Sequence, residues 1–108
     1  MNYVLWIMNH SMTEDQKHDL NQKFDSPSIS TVDPEMLRRM AQVPAEADTN
    51  DVRWLADDIV RSMRVYEVIG PRIVGAVVQG EPTLQTCLVK ILQDCGIRCY
   101  AARPRGYP

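Results

Sequence analysis

The stretch that most constrains the fold is a short apolar segment followed at once by a turn and a helical pattern. After Arg72, residues 73–78 read Ile-Val-Gly-Ala-Val-Val, which is an almost wholly apolar run. Such a run is typical of a strand buried on both faces, as in a parallel sheet covered by helices. A turn over residues 79–83 follows. Apolar residues then recur at helical spacing: Leu84, Cys87, Leu88, Ile91, Leu92 and Cys95.

This strand, turn and helix start together form the kind of place where open α/β folds bind ligands. The first N–H groups of a helix lack intrahelical partners, and the helix dipole favours negative charge there. The turn contains a single glycine, Gly80. The pattern therefore predicts a ligand site that favours anions, and it leaves the identity of the ligand open.

Length and composition indicate one small domain. The chain has 108 residues, of which 44% are hydrophobic, and this is enough for one core. We expect a single domain over residues 1–108, with residues 103–108 leaving the fold as a flexible basic tail. The N-terminal apolar run, residues 3–8, is too short to span a membrane, and no basic residue precedes it as in a signal peptide. We expect no membrane association.

The cysteines and histidines argue against disulfide and metal chemistry. Cys87, Cys95 and Cys99 cannot all pair within one chain, and we expect them to be reduced packing residues of a cytoplasmic protein. Neither His10 nor His18 stands at zinc-ligand spacing from them, so no metal is expected. The glycine fingerprints of Walker and dinucleotide sites are absent, so no cofactor is expected either.

The net charge of −2 argues against binding to long nucleic acid. The charge is unevenly distributed. Residues 89–108 contain Lys90, Arg98, Arg103 and Arg105 against the single acid Asp94. This basic end indicates a local anion site, and the alternative is a solvated tail.

Local signals along the chain give the element order β-α-β-α-α-β-α-β. Thr13 and Gln16 form a capping box, and Asp33 with Pro34 is typical of a helix start. Gly96 is a natural end for the last helix. The predicted elements are strands over residues 3–8, 28–32, 72–78 and 97–102, and helices that begin near 13, 34, 52 and 82, the third reaching Tyr66.

Strands that alternate with helices predict a Rossmann-like α/β domain with a mainly parallel four-stranded sheet and helices on both faces. The expected strand order is 2-1-3-4, so the direction of winding reverses between strands one and three. Ligands bind outside the carboxyl ends of the strands at such a reversal. The residues expected to converge there are Asn9, His10, Ser11, Gln79, Gly80, Glu81, Thr83, Arg103 and Arg105.

The residue types at this edge suit a phosphate-containing ligand. His10 can orient a phosphate or act as a general acid or base, and the alternative is a loop histidine bonded to backbone. Ser11 and Thr83 can bond phosphate oxygens or simply form caps and turns. Gln79 and Glu81 can read an adenine edge or a ribose hydroxyl, and Glu81 can also be only a helix-start charge.

Short motifs in chain order resemble a family of type III CRISPR-associated proteins, the Csx proteins numbered twenty. The resembling segments are residues 7–16 (Ile-Met-Asn-His-Ser-Met-Thr-Glu-Asp-Gln), 32–37 (Val-Asp-Pro-Glu-Met-Leu) with Val43 and Pro44, 77–81 (Val-Val-Gln-Gly-Glu), and 99–103 (Cys-Tyr-Ala-Ala-Arg). The resemblance implies a CARF-like domain and a ring nuclease, which cuts cyclic oligoadenylate, most typically cyclic tetra-adenylate, to linear products and so ends type III CRISPR signalling.

The site that follows from the resemblance has His10, Ser11 and Glu81 as catalytic residues. Asn9, Gln79, Gly80, Thr83, Arg103 and Arg105 would bind the ligand. A homodimer is expected, because a second copy doubles the donors and its two-fold symmetry suits an even-membered ring. Metal-independent attack of a ribose 2′-hydroxyl on the adjacent phosphorus is the implied chemistry.

Two alternatives stay open from the sequence. A non-catalytic sensor or sponge would bind a nucleotide second messenger through the same edge, and only the role of His10 would differ. A small α/β interaction module would have no functional site at this edge, and its basic end would be a solvated tail.

Overall fold

The protein is built from a four-stranded sheet flanked by helices. The computed structural model describes residues 2–8, 10–67 and 70–101. Within these residues the elements are β1 (Tyr3–Ile7), α1 (Glu14–Phe24), β2 (Ser28–Thr31), α2 (Pro34–Ala41), α3 (Thr49–Ser62), a 3₁₀ turn (Gly70–Arg72), β3 (Ile73–Val78), α4 (Pro82–Asp94) and β4 (Cys99–Ala101).

The sheet has the predicted topology. All three strand pairings are parallel, and the order is β2-β1-β3-β4. Ile7 pairs with Val78, and Val78 pairs with Ala101, so β1, β3 and β4 end level with one another. The two central strands are buried, which explains why each of them reads as an apolar run rather than an alternating one.

Helices cover both faces of the sheet, as predicted. On one face, Leu5 and Ile7 of β1 pack with buried residues of α3 and α4 in the larger core cluster. On the other face, Val4 and Trp6 pack with Leu20 of α1 in a smaller cluster. Because successive side chains of a strand point to opposite faces, β1 needs apolar residues at every position.

Gly75 leaves room on β3 for two aromatic rings. A Cβ atom at this position would lie 3.0 Å from Cζ of Phe24 and 3.0 Å from Cε2 of Tyr100. These two rings meet edge to face with their centroids 5.6 Å apart. Lys23 places its Nζ 4.6 Å from the centroid of the Tyr100 ring. Even a methyl group at position 75 would require both rings to shift by a few tenths of an ångström, so the packing of α1 favours a glycine here.

The predicted helix starts at Thr13 and Asp33 are confirmed. Thr13 accepts a hydrogen bond from the N–H of Gln16, whose side chain accepts one from the N–H of Thr13 in return. Asp33 caps α2 by accepting from the N–H of Met36 at 2.9 Å. Gly96 has a φ of 79°, so it supplies the left-handed turn expected after the last helix.

Some predicted boundaries are wrong. α3 ends at Ser62 and does not continue to Tyr66, because Arg64 has a left-handed backbone with a φ of 61°. Tyr66 therefore lies beyond the helix and is 56% exposed. Cys95 follows the last residue of α4 and is exposed, whereas Cys87 and Cys99 pack against the core.

The boundaries predicted for the last two strands in the chain also differ. Arg72 belongs to the 3₁₀ turn and not to β3. β4 begins at Cys99 and not at residue 97, and its predicted end at residue 102 lies outside the described residues.

Candidate functional site

The carboxyl ends of β1 and β3 form one continuous edge. The backbone N–H of Gln79 donates to the carbonyl of Ile7 at 3.0 Å, one step beyond the paired residues Ile7 and Val78. The loop after β1 and the turn after β3 therefore start from adjacent points. We use the term carboxyl edge for the described residues of these two segments, which are residues 8, 10–13 and 79–83.

His10 is exposed at this edge, and its ring is oriented by the backbone. Its Nδ1 lies 2.9 Å from the carbonyl oxygen of Ser11. A carbonyl oxygen only accepts hydrogen bonds, so Nδ1 must carry the proton of the neutral ring, and Nε2 keeps its lone pair. The backbone bond expected for an ordinary loop histidine is thus present. It leaves Nε2, the atom that a general base needs, without a hydrogen bond within the described residues.

Trp6 lies beneath the loop that contains His10. It is 3% exposed, and its indole Nε1 donates to the carbonyl of His10 at 3.3 Å. The two rings meet edge to face, with centroids 6.3 Å apart and an interplanar angle of 81°. The sequence interpretation treats Trp6 only as a strand residue. The sequence could have indicated this contact, because a buried indole N–H needs a hydrogen-bond acceptor and Trp6 lies close to the end of its strand.

Glu81 caps α4 with its side chain. One carboxylate oxygen accepts from the N–H of Leu84 at 2.9 Å. Hydrogen bonds from the backbone of Leu84, and then of Thr83, hold the pKa of this carboxyl below its usual value. At Leu84 the expectation that the first N–H groups of this helix are free for an anion is therefore wrong, because the Glu81 carboxylate already accepts from this N–H.

The rest of the turn is partly exposed and fixed by local bonds. The N–H of Gly80 donates to the side-chain oxygen of Gln85 at 3.2 Å. A Cβ atom at Gly80 would meet the methyl group of Met40 at 3.7 Å, an ordinary contact distance, so space alone does not require this glycine. The side chains of Gln79 and Thr83 are exposed and can reach a ligand.

The structure brings together His10, Ser11, Gln79, Gly80, Glu81 and Thr83 at the ends of β1 and β3. Three further predicted ligand-binding residues, Asn9, Arg103 and Arg105, lie outside the described residues. Glu81 and Asp33, which follow β3 and β2, both cap helices, so the described residues that follow these two strands include carboxylates. The cations that an anionic ligand needs would have to come from elsewhere in the chain or from a second copy.

A second candidate region lies on the face opposite α1. We call it the α3–α4 groove, an open groove of about 710 Å³. Its lining includes Arg53 and Lys90, for which no ion pair is found in the described part of the chain, and Thr83 at the start of α4. A smaller depression of about 260 Å³ lies between α2 and α3, with Arg39 and Asp51 among its lining residues.

The described ranges contain neither a metal-binding cluster nor a membrane-spanning helix. No three or more His, Cys, Asp or Glu side chains lie where they could share a metal ion. No helix among these residues is long and apolar enough to cross a bilayer.

The fold and the carboxyl edge define a small, open, parallel α/β domain with polar groups at the ends of its two central strands. The model of the uncharacterized protein MJ1673 family matches residues 2–105. The chain therefore belongs to that family. Comparison with curated proteins and with solved structures gives no significant match.

Proposed function

We propose that the carboxyl edge binds cyclic oligoadenylate, with cyclic tetra-adenylate as the leading candidate, and cleaves it as a ring nuclease that ends type III CRISPR signalling. The observation that supports this best is the hydrogen bond from Gln79 to Ile7. It sets the His10 loop beside the 79–83 turn. A base and several polar groups from distant parts of the chain thus meet at a point where α/β sheets bind ligands.

The proposed reaction uses His10 as the general base. Its Nε2 takes the proton of a ribose 2′-hydroxyl as that oxygen attacks the adjacent phosphorus. The bond from phosphorus to the 5′-oxygen breaks, the leaving oxygen takes a proton from water, and His10 returns its proton to the solvent. The opened, linear product has a 5′-hydroxyl at one end and a 2′,3′-cyclic phosphate at the other. Positioning the 2′-oxygen in line with the leaving oxygen supplies a large part of the acceleration in such reactions.

Other residues of the edge hold the ligand in this scheme. The hydroxyl groups of Ser11 and Thr83 donate to phosphate oxygens, and the amide of Gln79 reads an adenine edge. Because its pKa is lowered, Glu81 stays ionised at neutral pH. Its carboxylate has lone pairs beyond those used by the cap, and these can accept a ribose hydroxyl. Glu81 is therefore suited to orient a ribose and unsuited to donate a proton.

The proposal needs cations, because a cyclic tetranucleotide carries a negative charge on every phosphate. Arg103 and Arg105 follow β4 by two and four residues in the sequence. A homodimer would supply a second set of these arginines. Sedimentation with and without cyclic tetra-adenylate tests the dimer, and a protein that turns over ligand as a strict monomer would disprove it.

A non-catalytic sensor or sponge is the second candidate, and the cap at Glu81 favours it. A carboxylate that accepts from Leu84 is already used in forming the fold. Under this alternative the edge binds the same ligand and His10 contributes only a hydrogen bond. Cytoplasmic location is part of both proposals, since the ligand is made and used inside cells.

Incubation of the pure protein with cyclic tri-, tetra- and hexa-adenylate in EDTA separates the possibilities. Linear products support the ring nuclease and identify the ring size. Binding without cleavage supports the sensor. If the protein neither binds nor cleaves any of the three rings, both proposals fail and a small α/β interaction module is left.

A further inference from the structure

The loop between β1 and α1 depends on a side chain from the core. Within the described residues, the main chain of His10 has one hydrogen bond, which its carbonyl accepts from the indole of Trp6 at 3.3 Å. The next carbonyl, that of Ser11, accepts from the His10 ring. Side chains therefore determine the path of this loop, and the first of them belongs to a strand.

Trp6 is itself held firmly. It is the penultimate residue of β1, it pairs in register with Val77 of β3, and it packs with Val77 and Leu20 in the cluster beneath α1. Its N–H would lack a partner if the loop moved away, and a buried donor without a partner is destabilising. The same contact therefore satisfies the indole and fixes the position of the His10 backbone.

The ring of His10 is fixed by two further constraints. The indole meets its ring edge to face at 6.3 Å, and the carbonyl of Ser11 selects the tautomer with the proton on Nδ1. In an unconstrained exposed histidine the proton prefers Nε2. The arrangement thus favours the less common tautomer, which leaves Nε2 free to accept a proton.

We infer that Trp6 is a positioning residue for His10: it holds the loop in the geometry in which Nδ1 bonds to the carbonyl of Ser11, so that the proton of the neutral ring lies on Nδ1 and Nε2 is left as the acceptor. The catalytic consequence of this inference rests on the proposed function. The structural part does not, because the tautomer of His10 is a property of the free protein and can be measured without any nucleotide.

The first test is the tautomer of both histidines, measured by long-range ¹⁵N–¹H NMR in the free protein. In the wild type we expect His10 to show the proton on Nδ1. In Trp6→Phe, which retains a packed ring and removes the N–H donor, we expect the proton to move to Nε2, as in exposed His18. Trp54→Phe is the matched control. It is the same substitution at a different place in the fold, on a side chain that is 69% exposed. An unchanged His10 tautomer in Trp6→Phe overturns the inference.

A second variant keeps the test decisive if Trp6→Phe does not fold. The chain has two tryptophans, so in a Trp54→Phe background global incorporation of β-(3-benzothienyl)alanine replaces Trp6 alone. This isostere preserves the bicyclic shape and has sulfur in place of the N–H group. Its expected effect on the His10 tautomer is the same, and a His10 ring that keeps its proton on Nδ1 contradicts the inference.

The second test is a double-mutant cycle on cleavage of cyclic tetra-adenylate. Loss of one positioning hydrogen bond should lower kcat about fivefold to tenfold, with KM within about twofold. In the His10→Ala background, Trp6→Phe should cause no further loss, because its effect passes through the missing imidazole. Equal losses in both backgrounds would show that Trp6 only stabilises the fold. A tautomer shift in a protein that cleaves nothing would retain the positioning role and reject the proposed function.

Discussion

The carboxyl edge and the α3–α4 groove differ in what the fold places in them. The edge collects an imidazole, a carboxylate and an amide from distant parts of the chain, and the hydrogen bond from Gln79 to Ile7 sets the two segments that carry them side by side. The groove has an open volume of about 710 Å³ and two cations, Arg53 and Lys90, but its side chains come from two neighbouring helices. Chemistry needs groups from several segments at one point, so space alone is a weak guide to a reactive site.

The two regions also meet at one place. Thr83 lies in the 79–83 turn and lines the end of the α3–α4 groove. A ligand at the edge could therefore extend along α4 towards Lys90. The variants below separate an edge site from a groove site.

The largest effect should come from the imidazole at the edge. We expect His10→Ala to lower single-turnover cleavage of cyclic tetra-adenylate about a hundredfold or more, because a general base or a strong transition-state contact is lost. Binding should weaken less. His18→Ala is the control, since His18 is exposed on α1, away from the strand ends. Wild-type rates in His10→Ala would reduce His10 to a structural role.

A smaller effect should come from arginines, and here the two regions can be compared directly. Arg103→Ala removes one charge-assisted contact, worth about 1.5–3 kcal/mol, and should weaken cyclic oligoadenylate binding roughly tenfold to a hundredfold. Its thermal midpoint should stay nearly unchanged. Arg105→Ala should weaken binding less.

Arg53→Ala, the same change in the α3–α4 groove, should leave the affinity within about twofold. Calorimetric titration of the three variants measures this. If Arg53→Ala costs more affinity than Arg103→Ala, the ligand binds in the groove and the edge assignment is wrong.

The smallest effect should be a pH-dependent change in stability at Glu81. Its pKa is lowered in the folded protein by bonds from the backbone of Leu84 and Thr83. The stabilisation is therefore fully present above the ordinary value of 4.5 and is lost as the pH falls through the folded pKa. Glu81→Gln should thus lower the thermal midpoint slightly near pH 7 and not at the acid end.

Glu46→Gln, in the exposed loop between α2 and α3, is the control for that experiment. Thermal unfolding of both variants from pH 7 down to pH 3 gives the comparison. A difference between Glu81→Gln and wild type that persists unchanged below pH 4 would mean that the cap does not depend on the charge.

The topology could be predicted because local signals agreed with it. The apolar runs at β1 and β3 indicated central strands, and parallel connections then restricted the strand order to few choices. The end of α3 could not be predicted in the same way. Met63 continues the helical spacing and is buried, but Arg64 takes a left-handed backbone that side-chain periodicity does not reveal.

The sequence predicts where the carboxyl edge lies, but it predicts fewer of the hydrogen bonds that its residues make. The acid–proline pair of Asp33 and Pro34 predicts a capped helix start, and the same pair recurs at Glu81 and Pro82. The same reasoning, applied to Glu81 and Pro82, predicts that the Glu81 side chain accepts from the N–H of Leu84. The contact between Trp6 and His10 depends on the path of a loop in three dimensions, which residue spacing alone does not give.

Gly75 has a consequence for how sequences of this family can diverge. The rings of Phe24 and Tyr100 occupy the space that a side chain at position 75 would need. A residue larger than glycine at 75 should therefore be accompanied by a smaller residue at 24 or 100. Those three positions, which lie on α1, β3 and β4, should change together among relatives, so a substitution tolerated in one member could prevent folding in another.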